Sequence, residues 1–231
     1  MKLVTVYFDY PGSTNYQRLL NAMINSASSV GYEIDVIRID APEQIKNKRS
    51  HDSNTAKLRE WSGYLDAVGE GEEIVFLDCD LIFLKRIDDA FNHDFDVAYT
   101  YRDNGVPLNG GVVFLRNNKY ARGFIRMWTD VNEAMYNGRI QMKPYVDKYC
   151  GINQSAFGYL LETEDLDCDI EALPCSIYNA CGDKWRDLDP DTRIIHIKDE
   201  LRRACLRTRF APWLADAINI WDQFDTEQEI I

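Results

Sequence analysis

In the first half of the chain, short apolar runs typical of strands alternate with longer segments that have the apolar spacing of helices. Short runs rich in β-branched and aromatic residues are typical of buried strands, and runs with apolar residues on one helical face are typical of amphipathic helices. The predicted strands are 3–8, 33–39, 74–77, 96–101, 112–115, 169–173 and 193–197. The predicted helices centre on 19–27, 58–68, 120–135, 152–161 and 212–224. The polar stretch 42–54 is predicted to be a loop.

This order of elements predicts an α/β protein. Strands that alternate with helices form a mostly parallel central sheet with helices on both faces, because each crossover helix returns the chain to the same end of the sheet. The length of 231 residues fits one large domain. We expect a domain over residues 1–200 and a small C-terminal helical segment over residues 201–231 that packs on it.

Composition excludes several classes of protein. The formal net charge of −12 disfavours general nucleic-acid binding, because the phosphate backbone is repelled. The longest uncharged apolar runs, 74–77 and 112–115, are far shorter than the roughly 20 residues that span a bilayer, so we expect no membrane span. The first apolar run, 3–8, is too short and too soon followed by an acid for a secretory signal.

The six cysteines are irregularly spaced and include no C-x-x-C pair. This pattern favours reduced thiols over a disulfide framework or a zinc site. It predicts a cytoplasmic protein.

A pair of aspartates, Asp78 and Asp80, directly follows the predicted strand 74–77. Ligands of open α/β sheets bind beyond the carboxyl ends of strands, and paired carboxylate oxygens suit Mg²⁺ or Mn²⁺. The alternative is a pair of acids that caps the following turn. The four apolar residues before the pair favour a metal, because two acids there repel unless a cation or a base neutralises them.

Basic residues reverse the local charge near the C-terminal end. They are Lys198, Arg202, Arg203, Arg207 and Arg209. In a chain of net charge −12 they suggest an anion site, although a solvated helix face explains Arg207 and Arg209 equally well. His196 and Lys198 share a face of the predicted strand 193–197, because side chains alternate with a period of two. The imidazole can then bind a metal while the ammonium group meets a phosphate.

Two further motifs carry less information alone. Asn109-Gly110-Gly111 allows a backbone to approach a ligand, but it also fits a plain turn or bulge. Asn153-Gln154 opens a predicted helix, where an asparagine is an ordinary cap.

The order of these motifs is more specific than any one of them. It runs through Asp9, Asn15-Tyr16, Lys57, F-L-D-C-D-L, N-G-G-V, N-Q and H-x-K. This order resembles the GT-A fold of nucleotide-sugar glycosyltransferases over most of residues 1–200. The chain is most similar to family 8, which includes glycogenin and bacterial galactosyl- and glucosyltransferases.

The resemblance implies a reaction and a cofactor. A hexose, glucose or galactose, would pass from a UDP-sugar to an acceptor with retention of the anomeric configuration. The cofactor would be Mn²⁺ or Mg²⁺. The acceptor stays open between a glycan, a protein and a small molecule.

The resemblance also assigns roles to residues. Asp78, Asp80 and His196 would bind the metal, Lys198 would contact the diphosphate, and Gln154 would lie beneath the anomeric carbon. The implied catalytic set is Asp78, Asp80, Gln154 and Lys198. The remaining implied donor contacts are Tyr7, Asp9 and Tyr16 near the base and ribose, Lys57 near the donor, and Asn109 at the sugar.

The chain departs from the family pattern at two places. Asn153-Gln154 stands where the family commonly has Asp-Gln, which affects the contact to a sugar hydroxyl. His196-Ile197-Lys198 stands where the family usually has a longer H-x-x-G-x-x-K-P segment, which affects the placement of Lys198.

Two other functions are compatible with these residues. A phosphatase of the haloacid dehalogenase type would use Asp78 as its nucleophile. Against it, the D-x-D follows two strand–helix units, and Ile82 stands where those enzymes have Thr or Val. A catalytically inactive nucleotide-sugar-binding protein is the second alternative, since a fold alone does not imply turnover.

Overall fold

The computed structural model describes residues 1–9, 14–40, 49–103, 105–186, 188–207 and 211–226. Its strands are β1 (Lys2–Asp9), β2 (Ile34–Asp40), β3 (Glu73–Leu77), β4 (Leu81–Phe83), β5 (Val97–Tyr101), β6 (Leu108–Arg116), β7 (Ile170–Pro174) and β8 (Ile194–His196). Its helices are α1 (Tyr16–Ser29), α2 (Arg49–Ala67), α3 (Lys119–Tyr136), α4 (Lys143–Tyr149), α5 (Ile152–Thr163), α6 (Cys175–Tyr178), α7 (Asp199–Cys205) and α8 (Ala215–Asp222). Short 3₁₀ segments are Asp88–Asn92, Gly182–Trp185 and Pro212–Leu214.

Six strands form the central sheet in the order β2-β1-β3-β6-β5-β7. The pairs β1–β2, β1–β3 and β5–β7 are parallel, whereas β6 runs antiparallel to both of its neighbours. The expected mostly parallel α/β sheet is therefore confirmed, with one reversed strand at its centre.

Helices cover both faces of this sheet because successive side chains of a strand point in opposite directions. In β3, Phe76 packs with residues of α2, α3 and α5, and its ring stacks on Trp61 at a centroid distance of 4.6 Å. On the other face, Leu77 packs with Met23 of α1 and with Phe83. The parallel strands therefore end at an edge held rigidly from both sides.

The strands β4 and β8 form a separate antiparallel pair that the sequence pattern revealed only in part. Leu81 pairs with His196 and Phe83 pairs with Ile194. The strand β8 lies within the predicted strand 193–197, but β4 has three residues and is too short to show a periodicity. This small sheet joins the segment after β3 to the late part of the chain.

The predicted loop 42–54 is wrong over its last six positions, because α2 begins at Arg49. Residues 42–48 lie outside the described part of the chain. The polar first turns of α2 are held by α3. Asn132 donates a hydrogen bond to the Thr55 hydroxyl at 2.8 Å, and Tyr136 donates one to Asp52 at 2.5 Å. These tertiary contacts outweigh the weak local helix signal.

Other element boundaries also differ from the sequence predictions. Asn109-Gly110-Gly111 lies inside β6 rather than opening it, because the strand begins at Leu108. The predicted helix 212–224 is a 3₁₀ segment followed by the shorter α8. The helices α4, α6 and α7 were not predicted, because four to seven residues are too few to show helical periodicity.

The helices α7 and α8 pack against α1 and the β4–β8 pair. Leu201 and Trp221 share an apolar cluster with Leu19 and Ile195. An ion pair at 2.5 Å joins Arg18 to Asp225 across the same contact. The division into residues 1–200 and 201–231 stays a prediction.

None of the helices within the described residues is both long enough and apolar enough to pass through a membrane.

We predict opposite effects from alanine at two helical glycines. A Cβ at Gly158 would lie 2.2 Å from a ring carbon of Tyr149, whereas a Cβ at Gly123 would meet nothing within 4 Å. Gly158→Ala should therefore lower the free energy of unfolding by about 1–3 kcal/mol. Gly123→Ala, the matched control, should raise it by about 0.5–1 kcal/mol through helix propensity. Chemical denaturation measures both, and equal effects would contradict this packing.

Candidate functional site

A cavity of about 560 Å³ opens at the carboxyl ends of β1 and β3. Eight of the ten site residues expected from the sequence line it. They are Tyr16, Lys57, Asp78, Asp80, Asn109, Gln154, His196 and Lys198. The edge of the sheet that the D-x-D position indicated is therefore the place where these side chains meet.

Asp78, Asp80 and His196 form the centre of the cavity. One ligand atom from each lies within 4.8 Å of the others. The Nε2 atom of His196 is 3.2 Å from Oδ1 of Asp80 and 3.7 Å from Oδ2 of Asp78. The predicted convergence of two early aspartates with one late imidazole is what the structure shows.

The β4–β8 pair brings the three together. His196 lies opposite Leu81, the residue after Asp80. The Ile197 N–H donates to the backbone oxygen of Asp80 at 2.7 Å, and the Asp78 N–H donates to the backbone oxygen of Gly111 at 2.8 Å. Backbone hydrogen bonds thus hold both ends of the D-x-D segment.

The imidazole of His196 is oriented by a buried chain of polar groups. Its Nδ1 lies 2.9 Å from the amide oxygen of Asn179, which accepts the hydrogen bond, so Nε2 faces the carboxylates. Asn179 in turn donates to the Thr100 hydroxyl at 2.8 Å, and Thr100 donates to the backbone oxygen of Asn109 at 2.8 Å. Partners of this kind set the tautomer of metal-binding histidines. Sequence reasoning missed Asn179, because no motif surrounds it.

Each aspartate carboxylate also has a basic partner. Lys57 Nζ lies 2.6 Å from Oδ1 of Asp78, and the Arg202 guanidinium pairs with Oδ2 of Asp80. Burial of Asp80 opposes its ionisation, but the charges and hydrogen bonds of His196 and Arg202 outweigh burial and hold its pKa below the usual range. Asp80 can therefore remain ionised inside the cavity.

Arg202 also lines the cavity. The sequence indicated it only as one member of a larger basic cluster. It also donates to the Tyr16 hydroxyl at 3.0 Å and to the backbone oxygen of Ile197 at 3.1 Å. The helix α7 sets this position, since it starts directly after Lys198. The signal was the Lys198–Arg202 spacing of four residues, which is one helical turn.

Among the described residues of the predicted basic cluster, Arg203 and Arg207 do not line the cavity. Arg207 pairs with Asp222 at 2.5 Å, and Arg203 is exposed on α7. Arg209 lies outside the described residues. Of this cluster, the cavity is lined by Lys198 and Arg202, and their role as an anion site stays a prediction.

Asn109 and Gln154 line the cavity with their amides already engaged. Asn109 Oδ1 accepts from the Gly111 N–H at 3.1 Å. Gln154 Oε1 accepts from the Gly110 N–H at 3.2 Å, and its Nε2 donates to the backbone oxygen of Cys150 at 2.9 Å. Both amides are therefore oriented before any ligand binds.

Tyr7 stands apart from these residues. The neighbours of Tyr7 in β1, Val6 and Phe8, line the cavity, whereas Tyr7 is buried with the guanidinium of Arg38 5.1 Å from its ring centroid. The side chain of Asp9 lies outside the described part of the chain. Their roles at the base and ribose stay predictions.

The three side chains Asp78, Asp80 and His196 are suitable ligands for a hard divalent cation. Two carboxylates and one imidazole are ligands that Mg²⁺ and Mn²⁺ accept, and Asp80 and His196 are 4% and 3% exposed. Lys57 and Arg202 neutralise the same carboxylates, so the cluster keeps its shape by itself and a cation competes with two bases for it.

Comparisons with known proteins place the fold. No family model matches the chain, and no curated protein sequence does. A solved glycosyltransferase involved in glycosylation of the major capsid of PBCV-1 is 11% identical with a TM-score of 0.59, over 87% of this chain and 96% of that one. The galactosyltransferase LgtC, in complex with donor and acceptor sugar analogs, is 13% identical with a TM-score of 0.58, over 99% and 98%.

A third solved structure matches this chain over only part of its own length. The glycosyltransferase GlyE of Streptococcus pneumoniae TIGR4 is 16% identical with a TM-score of 0.57, and the match covers 96% of this chain but 63% of GlyE. At these identities the likeness shows the fold alone. The chain has the GT-A fold of these glycosyltransferases, and membership of family 8 stays a prediction.

We predict that the centre of the cavity tolerates no side chain at Gly111. A Cβ there would lie 2.6 Å from Cε1 of His196 and 3.0 Å from Oδ2 of Asp78, whereas one at Gly110 would lie 3.6 Å from its nearest neighbour, Cγ of Gln154. Gly111→Ala should move the His196 imidazole signals and lower the free energy of unfolding by about 1–3 kcal/mol. Gly110→Ala should leave those signals in place.

The measurement is simple, because the chain has three histidines and hence few imidazole signals in a ¹⁵N-edited NMR spectrum. Unmoved His196 signals in Gly111→Ala would show that the strand does not approach the imidazole this closely.

Proposed function

We propose that this protein is a metal-dependent glycosyltransferase that transfers a hexose, glucose or galactose, from a UDP-sugar to an acceptor. The observation that carries the proposal is the meeting of Asp78, Asp80 and His196 within 4.8 Å, in a cavity that Lys198 and Arg202 also line. Carboxylates for a divalent cation beside two fixed cations suit a sugar diphosphate. The glycosyltransferases of the same fold support this choice.

The reaction explains why positive charge is needed. The bond between the anomeric carbon and a diphosphate oxygen breaks, and its electron pair leaves with UDP. Negative charge grows on the diphosphate while the sugar becomes oxocarbenium-like. A divalent cation, when bound by Asp78, Asp80 and His196, would act as a Lewis acid toward the diphosphate. Lys198 and Arg202 would add permanent positive charge from the cavity wall.

The donor would be positioned by residues whose side chains are already held. Lys57 anchors Asp78, Arg202 anchors Tyr16, and Asn109 presents an oriented amide. Preorganised groups of this kind cost little reorganisation during the reaction. Tyr7 and Asp9 stay in the proposal as base and ribose contacts on the strength of the resemblance alone.

We propose retention of configuration through Gln154. Its amide is held in place by Gly110 and by the backbone oxygen of Cys150, and it lines the same cavity as the aspartates. An amide oxygen stabilises positive charge on a sugar but is a poor nucleophile. We therefore favour attack by the acceptor on the face that UDP leaves, without a stable covalent enzyme intermediate.

The acceptor and the cellular location complete the proposal. A glycan, a protein or a small molecule can serve as the acceptor. A cytoplasmic location is supported by the six cysteines, all of which are free.

We predict that UDP release from a UDP-sugar depends on a divalent cation and on His196. The experiment tests UDP-glucose and UDP-galactose with Mn²⁺ or Mg²⁺ and measures free UDP. A chelator should abolish release, and His196→Ala should reduce it by at least ~100-fold because a ligand is lost. His93→Ala is the matched control, since that imidazole is 48% exposed and pairs with Glu171; it should keep wild-type release.

Two results would favour the alternative functions. Cation-dependent UDP binding without release from any UDP-sugar would indicate an inactive binding protein. Hydrolysis of a generic phosphate ester with a phosphorylated Asp78 would indicate a phosphatase. Circular dichroism of His196→Ala distinguishes a lost ligand from a lost fold.

We predict an α-linked product from the α-linked donor. Once an acceptor is found, the ¹H NMR coupling constant of the new anomeric proton reports the configuration. A β-linked product would exclude same-face attack and with it the role given to Gln154. A glycosylated enzyme trapped with a slow donor would instead replace that role with covalent catalysis.

A further inference from the structure

Two buried cysteines outside the proposed metal centre lie in contact. The Sγ atoms of Cys175 and Cys181 are 3.8 Å apart, and the residues are 4% and 3% exposed. Cys175 opens α6, and Cys181 follows Ala180, which is bridged to Ile195. Both positions are thus set by backbone structure, so the thiols are held side by side.

The pair forms a thin wall between two cavities. Asn109, which lines the main cavity, directs its Nδ2 at both sulfurs, at 3.5 Å from Cys181 and 3.9 Å from Cys175. On the other side, both cysteines line a second cavity of about 190 Å³ together with Arg102 and Lys184. A molecule the size of a peroxide can therefore reach the sulfurs without passing through the main cavity.

The surroundings of the pair favour a thiolate on Cys181. The contact with Cys175 and the charges of Arg102 and Lys198 lower the pKa of Cys181, against the effect of burial. The Cys175 S–H is donated to the backbone oxygen of Asn179 at 2.9 Å. The pKa of Cys175 is raised, first by its hydrogen bond to Cys181 and then by burial. Burial also raises the pKa of Cys79 and of Cys205. The pair thus joins a nucleophilic sulfur to a neighbour that can resolve it.

We propose that Cys175 and Cys181 are a modification site at which a hydroperoxide converts the two thiols into a reversible disulfide. The Cys181 thiolate attacks one peroxide oxygen, the O–O bond breaks, and hydroxide leaves. The Cys175 sulfur then attacks the resulting sulfenic acid, the S–S bond forms, and the S–O bond breaks as water leaves with the Cys175 proton. The thiols lose two electrons, and hydrogen peroxide becomes two waters once hydroxide is protonated.

The modification changes the wall of the main cavity. A disulfide sulfur is a weaker acceptor than a thiolate, so the Asn109 amide loses its partners on that side. The effect on a sugar donor follows only if the proposed function holds. The modification itself does not depend on it.

Mass spectrometry of the full chain tests the site. The reduced protein should take up six labels of a thiol-alkylating reagent after denaturation, one for each cysteine. After hydrogen peroxide it should take up two fewer, and dithiothreitol should restore them. Peptide mapping should find the link between Cys175 and Cys181. Retention of all labels, or a link between other cysteines, would overturn the proposal.

Three variants assign the roles of the two sulfurs. In Cys175→Ser, Cys181 should be trapped as a sulfenic acid by a 1,3-dicarbonyl probe. In Cys181→Ser, the remaining Cys175 should react with peroxide at least ~10-fold more slowly, because burial raises its pKa and its S–H is donated to the backbone oxygen of Asn179 at 2.9 Å. Cys150→Ser, which removes an exposed thiol, is the control and should still lose two labels. Equal reactivity in the first two variants would overturn the assignment.

The change at Asn109 has a separate readout that needs no ligand. Its side-chain amide signals in a ¹H–¹⁵N spectrum, assigned with Asn109→Ser, should move when the wild-type protein is oxidised. They should stay unchanged after peroxide treatment of a variant that lacks both thiols, Cys175→Ser with Cys181→Ser. Unmoved signals in the oxidised wild-type protein would show that the disulfide does not affect the wall of the main cavity, which would overturn this part of the proposal.

Discussion

The structure depends on holding two aspartate side chains beside each other at the end of a buried strand. Neighbouring carboxylates repel each other, and burial opposes the ionisation of Asp80. The chain meets this constraint with bases from three separate elements: Lys57 from α2, His196 from β8 and Arg202 from α7. Folding therefore already brings positive charge to the two carboxylates, as a bound cation would.

This arrangement requires a scaffold with little freedom. The β4–β8 pair sets the distance between the D-x-D segment and His196, and the Asn179 chain sets the direction of the imidazole. Gly111 leaves room for both, since any side chain there would occupy the same space. A metal centre would need such positioning, because hydrogen-bond partners of the ligands fix their orientation.

Asn109 connects the proposed donor cavity to the thiol pair behind it. Its oxygen accepts from Gly111, its backbone oxygen accepts from Thr100, and its amide nitrogen faces two sulfurs. The same residue thus belongs to the wall of one cavity and to the hydrogen bonds of its neighbour. A disulfide between the two cysteines would therefore alter the main cavity through the side chain of Asn109.

The sequence by itself determined the strands and helices with clear periodicity, the position of Asp78 and Asp80 at a strand end, and the candidate His196 and Lys198. Those features are local, because hydrophobic spacing and neighbouring residues suffice to define them. Only the tertiary structure decided the reversal of β6, the three-residue β4, the orienting role of Asn179 and the pairing of Arg202 with Asp80. Each of these depends on groups far apart in the chain, such as Asp80 and Arg202 at a separation of 122 residues, which no local pattern encodes.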